Sequence, residues 1–187
     1  QNEGVLASPE ALHMIAQKAD GAMRDALSFF DQLVSFAGKE LSYEVVIDHL
    51  NILDYTYYFK IVDHILQKDT ANTLLTINEI IDRGFDGQHF IIGLGEHLRN
   101  LLVCSDAATV SLLEVSGNIQ QKYVEQSTVC SPDFLLKALD ILNQSDLNYK
   151  SSNNKRLLLE LALLQMCASA GAEKSIPGTS PDEKKKS

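Results

Sequence analysis

The chain has 187 residues, a net charge of −9 and 45% apolar residues, which indicates one or two small folded domains and argues against wholesale disorder. Because an acidic surface repels phosphate backbones, we do not expect this stretch to bind DNA or RNA directly. No apolar run approaches the ~20 residues that a helix needs to cross a bilayer. The first residues, QNEGVLASPE, include neither an initiator Met nor a signal pattern, so we expect the chain to be cut from a longer protein.

Apolar residues recur with the helical period and no strand alternation is evident, so an all-α fold is predicted. The predicted helices cover 9–19, 21–36, 43–50, 55–69, 70–84, 86–105, 107–114, 117–128, 131–149 and 154–169. The stretch GKELS interrupts this pattern and marks a domain boundary. We therefore predict a short two-helix unit over 1–38, a helical bundle over 39–169, and a disordered tail over 170–187 that is too polar to fold.

The last predicted helix is apolar almost all round, although a helix on the surface of a monomer normally has one apolar stripe. It must therefore be covered on several sides. Either it is central in its own bundle or it faces another subunit, and the pattern alone favours neither. The candidate residues for an interface between subunits are Leu157, Leu159, Leu161, Leu163, Leu164 and Met166.

Sequence motifs for catalysis or metal binding are weak. Gly93-x-Gly95 lies within a helical pattern and follows no strand, so close helix packing explains it better than a phosphate loop. No GxxxxGK[ST] motif occurs, and we predict no enzyme activity for this stretch alone. The five histidines lack metal-ligand spacing, and the three cysteines, Cys104, Cys130 and Cys167, are expected to be reduced, buried thiols. The aromatic run 55–59 is expected to pack in a core.

Arg24 interrupts an otherwise regular amphipathic helix, KADGAMRDALSFFDQL. At 100° per residue it lies outside the apolar arc, on the same side as Ser28 and Asp31. Its guanidinium can therefore point outward. The pattern alone leaves two alternatives open: solvation or an ion pair with Asp20, four residues earlier, and a contact beyond its own domain.

The same stretch resembles a family signature. ALHMIAQKADGAMRDALSFFDQL is similar to the lid helices of bacterial DNA polymerase III gamma/tau subunits, the AAA+ ATPases of the replicative clamp loader, and GAMRDAL resembles their sensor 2 motif. GFDGQHFIIGLGEHLRNLLV and RLLLELALLQMC resemble helices of the family's C-terminal collar. The resemblance covers about residues 5–168. It implies the end of an AAA+ lid over 1–38 and an oligomerisation collar over 39–169.

The resemblance also implies roles and partners. Arg24 would contact the γ-phosphate of ATP held by a preceding ATPase domain, and the collar would join other gamma/tau copies, delta and delta′. The parent protein would use ATP, Mg²⁺ and zinc to load the sliding clamp onto primed DNA in the bacterial cytoplasm. A second hypothesis is a free-standing helical adaptor with no ATPase attached, in which Arg24 is only a surface residue.

Overall fold

The computed structural model describes residues 4–19, 21–113, 115 and 117–170. Within them, two short strands are β1 (Leu6–Ala7) and β2 (Glu40–Leu41). The helices are α1 (Pro9–Lys18), α2 (Met23–Ala37), α3 (Tyr43–His49), α4 (Tyr55–Leu66), α5 (Thr70–Asp82), α6 (Gly87–Cys104), α7 (Gly117–Ser127), α8 (Pro132–Tyr149) and α9 (Lys155–Ser169). The predicted helical fold is confirmed. In the described part of the chain, no helix is both long enough and apolar enough to span a bilayer.

Most helices begin at a small polar residue whose side chain accepts a hydrogen bond from a backbone N–H of the first turn. These caps are Ser8, Ser42, Asp54, Asp69, Asp86, Ser131 and Asn154. Each cap satisfies one of the N–H groups that have no partner at a helix start. Helix α2 is different, because its cap residue is Ala22, which makes no side-chain hydrogen bond.

The first packed unit contains a parallel strand pair that the sequence pattern did not predict. Leu6 pairs with Glu40 and Ala7 with Leu41, which ties the start of the chain to the segment after α2. Two-residue strands are too short to produce an alternating pattern, so only the long-range contact defines them.

The boundary predicted at residue 38 does not coincide with the edge of this unit. Its buried apolar residues come from α1, α2, β2 and α3, and they include Leu33, Leu41 and Val46, each at most 1% exposed. Because α3 packs on α1 and α2, the unit extends to about Leu50, and the helical bundle begins with α4. We call residues 4–50 the N-terminal unit and residues 55–170 the bundle.

Helix α6 is central in the bundle. Phe90, Leu94, Leu98 and Leu101 lie on its buried side, and α4, α7, α8 and α9 all pack against it. The predicted close packing is confirmed at Gly93, where a Cβ would collide with the Tyr58 hydroxyl. It is wrong at Gly95, where a Cβ would meet nothing within 4 Å.

The helix predicted over 107–114 is absent from the described part of that segment, which forms a 3-10 turn at Val110–Leu112. Local hydrogen bonds compete with helix formation there. The Asp106 carboxylate accepts from the Ala108 N–H, and the Thr109 hydroxyl donates to the backbone carbonyls of Val103 and Asp106. The predicted tail, apart from Ala170, lies outside the described residues.

Candidate functional site

Arg24 is the second residue of α2 and is exposed. Gly21 has φ +78°, a conformation that favours glycine, and the turn it allows sets the direction in which α2 begins. Within the described residues, no ion pair or side-chain hydrogen bond involves Arg24. The alternative partner, Asp20, lies outside the described residues, so that alternative stays a prediction.

The start of α2 has a chemical character suited to an anion. Helix N-termini carry a partial positive charge from unpaired N–H groups, and Arg24 adds a full one at an end where a cation is unfavourable for helix stability. Ala22 provides no side-chain cap that would compete for those N–H groups. The only acidic side chain in the first turn is Asp25. The described residues therefore place an exposed guanidinium beside a helix start that has no side-chain cap.

The structure shows which neighbouring helices cover α9. It packs against α4, α5, α6 and α8, and Leu159, Leu163 and Met166 are at most 2% exposed. These three candidate interface residues therefore pack in the chain's own core. The apolar composition reflects burial on several sides of the helix.

One side of α9 nevertheless remains uncovered. Leu157 is 57% exposed and Leu161 49% exposed, while Leu164 is half-buried and Ala168 is exposed. Their spacing of four, three and four residues puts them within a 60° arc at 100° per residue. This is the spacing of a helix that packs along another helix. We call Leu157, Leu161, Leu164 and Ala168 the α9 stripe.

A buried polar network was missed by the sequence analysis. His97 is 1% exposed; its Nδ1 lies 3.0 Å from the Tyr123 hydroxyl and its Nε2 lies 3.0 Å from Gln126 Oε1. Gln126 Nε2 donates to Phe59 O (2.9 Å) and to Asp63 Oδ1 (2.7 Å). Since Gln126 Oε1 can only accept, His97 Nε2 carries the proton and Tyr123 donates to Nδ1. Burial lowers the pKa of His97 to about 4.

This network joins α4, α6 and α7 and has the features of structural packing. The sequence contained one signal for it: His97 falls on the same apolar face of α6 as Leu94, Leu98 and Leu101, which indicates a buried histidine but not its partners. Among the described residues, no three His, Cys, Asp or Glu side chains are grouped to hold a metal ion. The three cysteines are buried free thiols, as predicted, and burial raises the pKa of Cys130 to about 11.

The aromatic run is also core packing, as predicted. Tyr57, Tyr58 and Phe59 pack against the bundle core, and Tyr55 packs against the core of the N-terminal unit. Phe59 meets His97 edge-on at 4.5 Å between ring centroids.

Comparison with known proteins defines the class of this chain. Residues 1–39 match the family described as DNA polymerase III clamp loader subunit, ATPase lid domain, so the class is that of clamp-loader subunits. Residues 41–176 match DNA polymerase III subunits gamma and tau domain III, and the chain belongs to that family. The resemblance drawn from the sequence is confirmed. The two matches meet at residues 39–41, whereas the packed N-terminal unit continues to about Leu50.

Individual relatives agree with this assignment. The chain is 29% identical over 157 residues to DNA polymerase III subunit tau of Bacillus subtilis, covering 84% of this chain and 28% of the relative. It is 24% identical over 164 residues to Protein STICHEL-like 2 of Arabidopsis thaliana, covering 88% of this chain and 18% of the relative. The chain thus spans less than a third of the length of these relatives.

A solved structure shares the fold. The Bacillus subtilis DNA clamp loader delta protein (YqeN) superposes with a TM-score of 0.57 at 18% sequence identity, covering 89% of this chain and 52% of that one. The fold of this chain is therefore also found in that clamp loader delta protein.

Proposed function

We propose that the bundle is the collar through which a gamma/tau subunit assembles with other clamp-loader subunits. The observation that carries this proposal is the α9 stripe, a row of exposed and half-exposed apolar side chains on a helix whose opposite side is buried in its own bundle. An uncovered apolar row of this kind is typical of a protein–protein contact. The partners in this proposal are other gamma/tau copies, delta and delta′.

The stripe by itself would contribute only part of the binding free energy. Fully burying a leucine is worth about 1.5–3 kcal/mol, so covering the half-exposed Leu157 and Leu161 would contribute roughly 2–3 kcal/mol together. A stable interface needs about 1,000 Å² or more of buried surface. The contact must therefore extend beyond α9, and the neighbouring helix α5 carries Leu75, 66% exposed.

Sedimentation equilibrium tests this assembly role, first with the chain alone and then with the collar regions of partner subunits. Leu161→Asp should abolish association without unfolding the chain, since the side chain is half-exposed. The matched control is Leu147→Asp on α8, where the leucine is 68% exposed and lies outside the stripe. Association that both variants retain would exclude the α9 stripe as the contact. A native chain that ignores every partner collar would refute the collar role and favour the adaptor hypothesis.

We further propose that Arg24 senses the nucleotide state of an ATPase domain that precedes the lid in the parent subunit. The N-terminal unit would be the end of that lid. The planar guanidinium and the uncapped start of α2 fit the oxygens of a terminal phosphate. ATP with Mg²⁺, when bound, would supply the terminal phosphate that Arg24 contacts. Arg24 would orient that phosphate group and hold it against the lid.

A subunit that includes the ATPase domain is needed to test this role. Arg24→Ala should leave folding within about 0.5 kcal/mol of native, because the side chain is exposed, yet impair ATP-dependent clamp loading. Arg24→Lys should rescue loading only in part, since Lys keeps the charge but lacks the fork. Arg99→Ala on α6 is the control for loss of an exposed arginine. Normal loading by the Arg24→Ala subunit would refute the sensing role.

The proposal extends to the parent protein as a whole. We propose that it acts in the bacterial cytoplasm, where it uses ATP with Mg²⁺ to load the sliding clamp onto primed DNA for the replicative polymerase. The zinc that the family resemblance implies would, in this proposal, belong to the preceding region of the parent protein. The chain described here would contribute assembly and the sensing arginine.

A further inference from the structure

The N-terminal unit and the bundle meet in two very different ways. At one place, side chains from both are in direct contact around the first turn of α4. At the other, α1 and α6 face each other across a cleft of about 1140 Å³. The connection between the two bodies is short, and Asn51 within it has a positive φ of 48°.

The contact at α4 is dense. The Asp54 carboxylate accepts a hydrogen bond from the Thr56 N–H at 2.7 Å, which caps α4, and another from the Tyr43 hydroxyl of α3 at 3.0 Å. The Tyr55 hydroxyl donates to Met14 Sδ of α1 at 2.7 Å. The rings of Tyr43 and Tyr55 stack at 5.8 Å with an interplanar angle of 13°. Helices α1 and α3 are thus both tied to the first turn of α4.

The cleft, in contrast, is loosely bridged. His13 and Gln17 of α1 line one side, and Ile92 and Glu96 of α6 line the other. The one hydrogen bond between described residues of α1 and α6 runs from Gln17 Nε2 to Glu96 Oε2 at 3.5 Å and is exposed. A bond of that length, open to competing water, contributes little.

We infer that Tyr43, Asp54, Tyr55 and Met14 form a pivot about which the N-terminal unit turns relative to the bundle, opening and closing the α1–α6 cleft. Tight contacts at one end and a weak bridge at the other make rotation about the α4 start the easiest relative motion of the two bodies. The pivot does not require nucleotide sensing by Arg24. If that sensing holds, the pivot is where movement of the lid reaches the collar.

Distance measurements on the 187-residue chain test this pivot. Spin labels on Ser28→Cys in α2 and Asn143→Cys in α8, both exposed, report the orientation of the two bodies. The native cysteines are buried, so labelling is directed to the introduced ones. Tyr43→Phe and Tyr55→Phe each remove one hydrogen bond and keep the ring. Each loss should shift the ratio of minor to major orientations by roughly fivefold, which broadens the distance distribution.

The control uses the same chemical change within one body. Tyr57, two residues further along α4, donates to Glu79 Oε1 of α5 at 2.7 Å, so Tyr57→Phe removes a tyrosine hydrogen bond that does not cross the junction. It should leave the distance distribution unchanged from that of the native chain.

Two results would overturn the inference. One is a distance distribution in both Tyr43→Phe and Tyr55→Phe that cannot be distinguished from the native one. The other is equal broadening by Tyr57→Phe. Because the measurement uses neither nucleotide nor partner subunit, its failure would be independent of the proposed assembly and sensing roles.

Discussion

The buried imidazole of His97 should make the stability of the bundle depend on pH in a defined window. In the unfolded chain a histidine has a pKa of about 6.5, whereas burial lowers the pKa of His97 in the folded chain to about 4. Between these values the unfolded state binds the proton and the folded state does not. Lowering the pH through this window therefore favours unfolding, and the full stability is present above about pH 6.5.

The size of the effect follows from the two pKa values. A difference of about 2.5 pKa units corresponds to roughly 3 kcal/mol once both states are protonated, and about 2 kcal/mol of it should be lost by pH 5. Urea unfolding of the chain at pH 7.5 and pH 5, followed by far-UV circular dichroism, measures this loss. Direct titration of the His97 ring by NMR should show it neutral at pH 5.

The control variant is His97→Gln, which keeps groups that can hydrogen-bond to Tyr123 and Gln126 but does not titrate. Its absolute stability is not the test; the change in stability between the two pH values is. The other four histidines are common to both proteins, so their contributions cancel in the difference. Equal losses in the native chain and in His97→Gln would refute the buried neutral ring.

Three further predictions concern packing. Gly93→Ala should lower the free energy of unfolding by about 1–2 kcal/mol, because the cost of overpacking against Tyr58 exceeds the gain in helix propensity. Gly95→Ala, which meets no such neighbour, should raise the free energy of unfolding by about 1 kcal/mol. Equal effects of the two substitutions in thermal melts would contradict the packing described for Gly93. Val46→Ala should lower the free energy of unfolding by about 2 kcal/mol and should speed amide hydrogen exchange in α1 and α2 more than in α6. Unchanged exchange in α1 and α2 would indicate that the N-terminal unit ends at residue 38. The three native cysteines should react with a thiol reagent much more slowly than cysteine in the unfolded chain, and fast reaction of all three would show that they are exposed.

Most helices could be predicted from the sequence because their signals are local. A polar cap followed by an apolar period of 3.6 identifies α1, α3 and α8 within a residue or two, and Gly84 ends the pattern that contains α5. The helix predicted over 107–114 was wrong, because the composition permits a helix but side chains such as Asp106 and Thr109 form hydrogen bonds with the nearby backbone instead.

Features that depend on tertiary contacts could not be predicted. The pattern of α9 identified apolar residues but not which of them face α6 and α8, so Leu159 and Leu163 could not be separated from Leu157 and Leu161. The same limit applies to His97, whose partners lie 26 and 29 residues away in sequence. The extent of the packed N-terminal unit could not be predicted, because a loop-like stretch after α2 does not reveal that α3 packs against α1.

The most direct test of the assembly role is the reactivity of a thiol placed in the α9 stripe. Leu161→Cys should react rapidly with a thiol reagent in the chain alone and more slowly, by about tenfold or more, when partner collar regions bind at concentrations well above Kd. Leu147→Cys on α8, outside the stripe, should react at the same rate in both samples. Protection of Leu161→Cys alone is the result that this account predicts. Unchanged reactivity of Leu161→Cys in a complex that has demonstrably formed would contradict it.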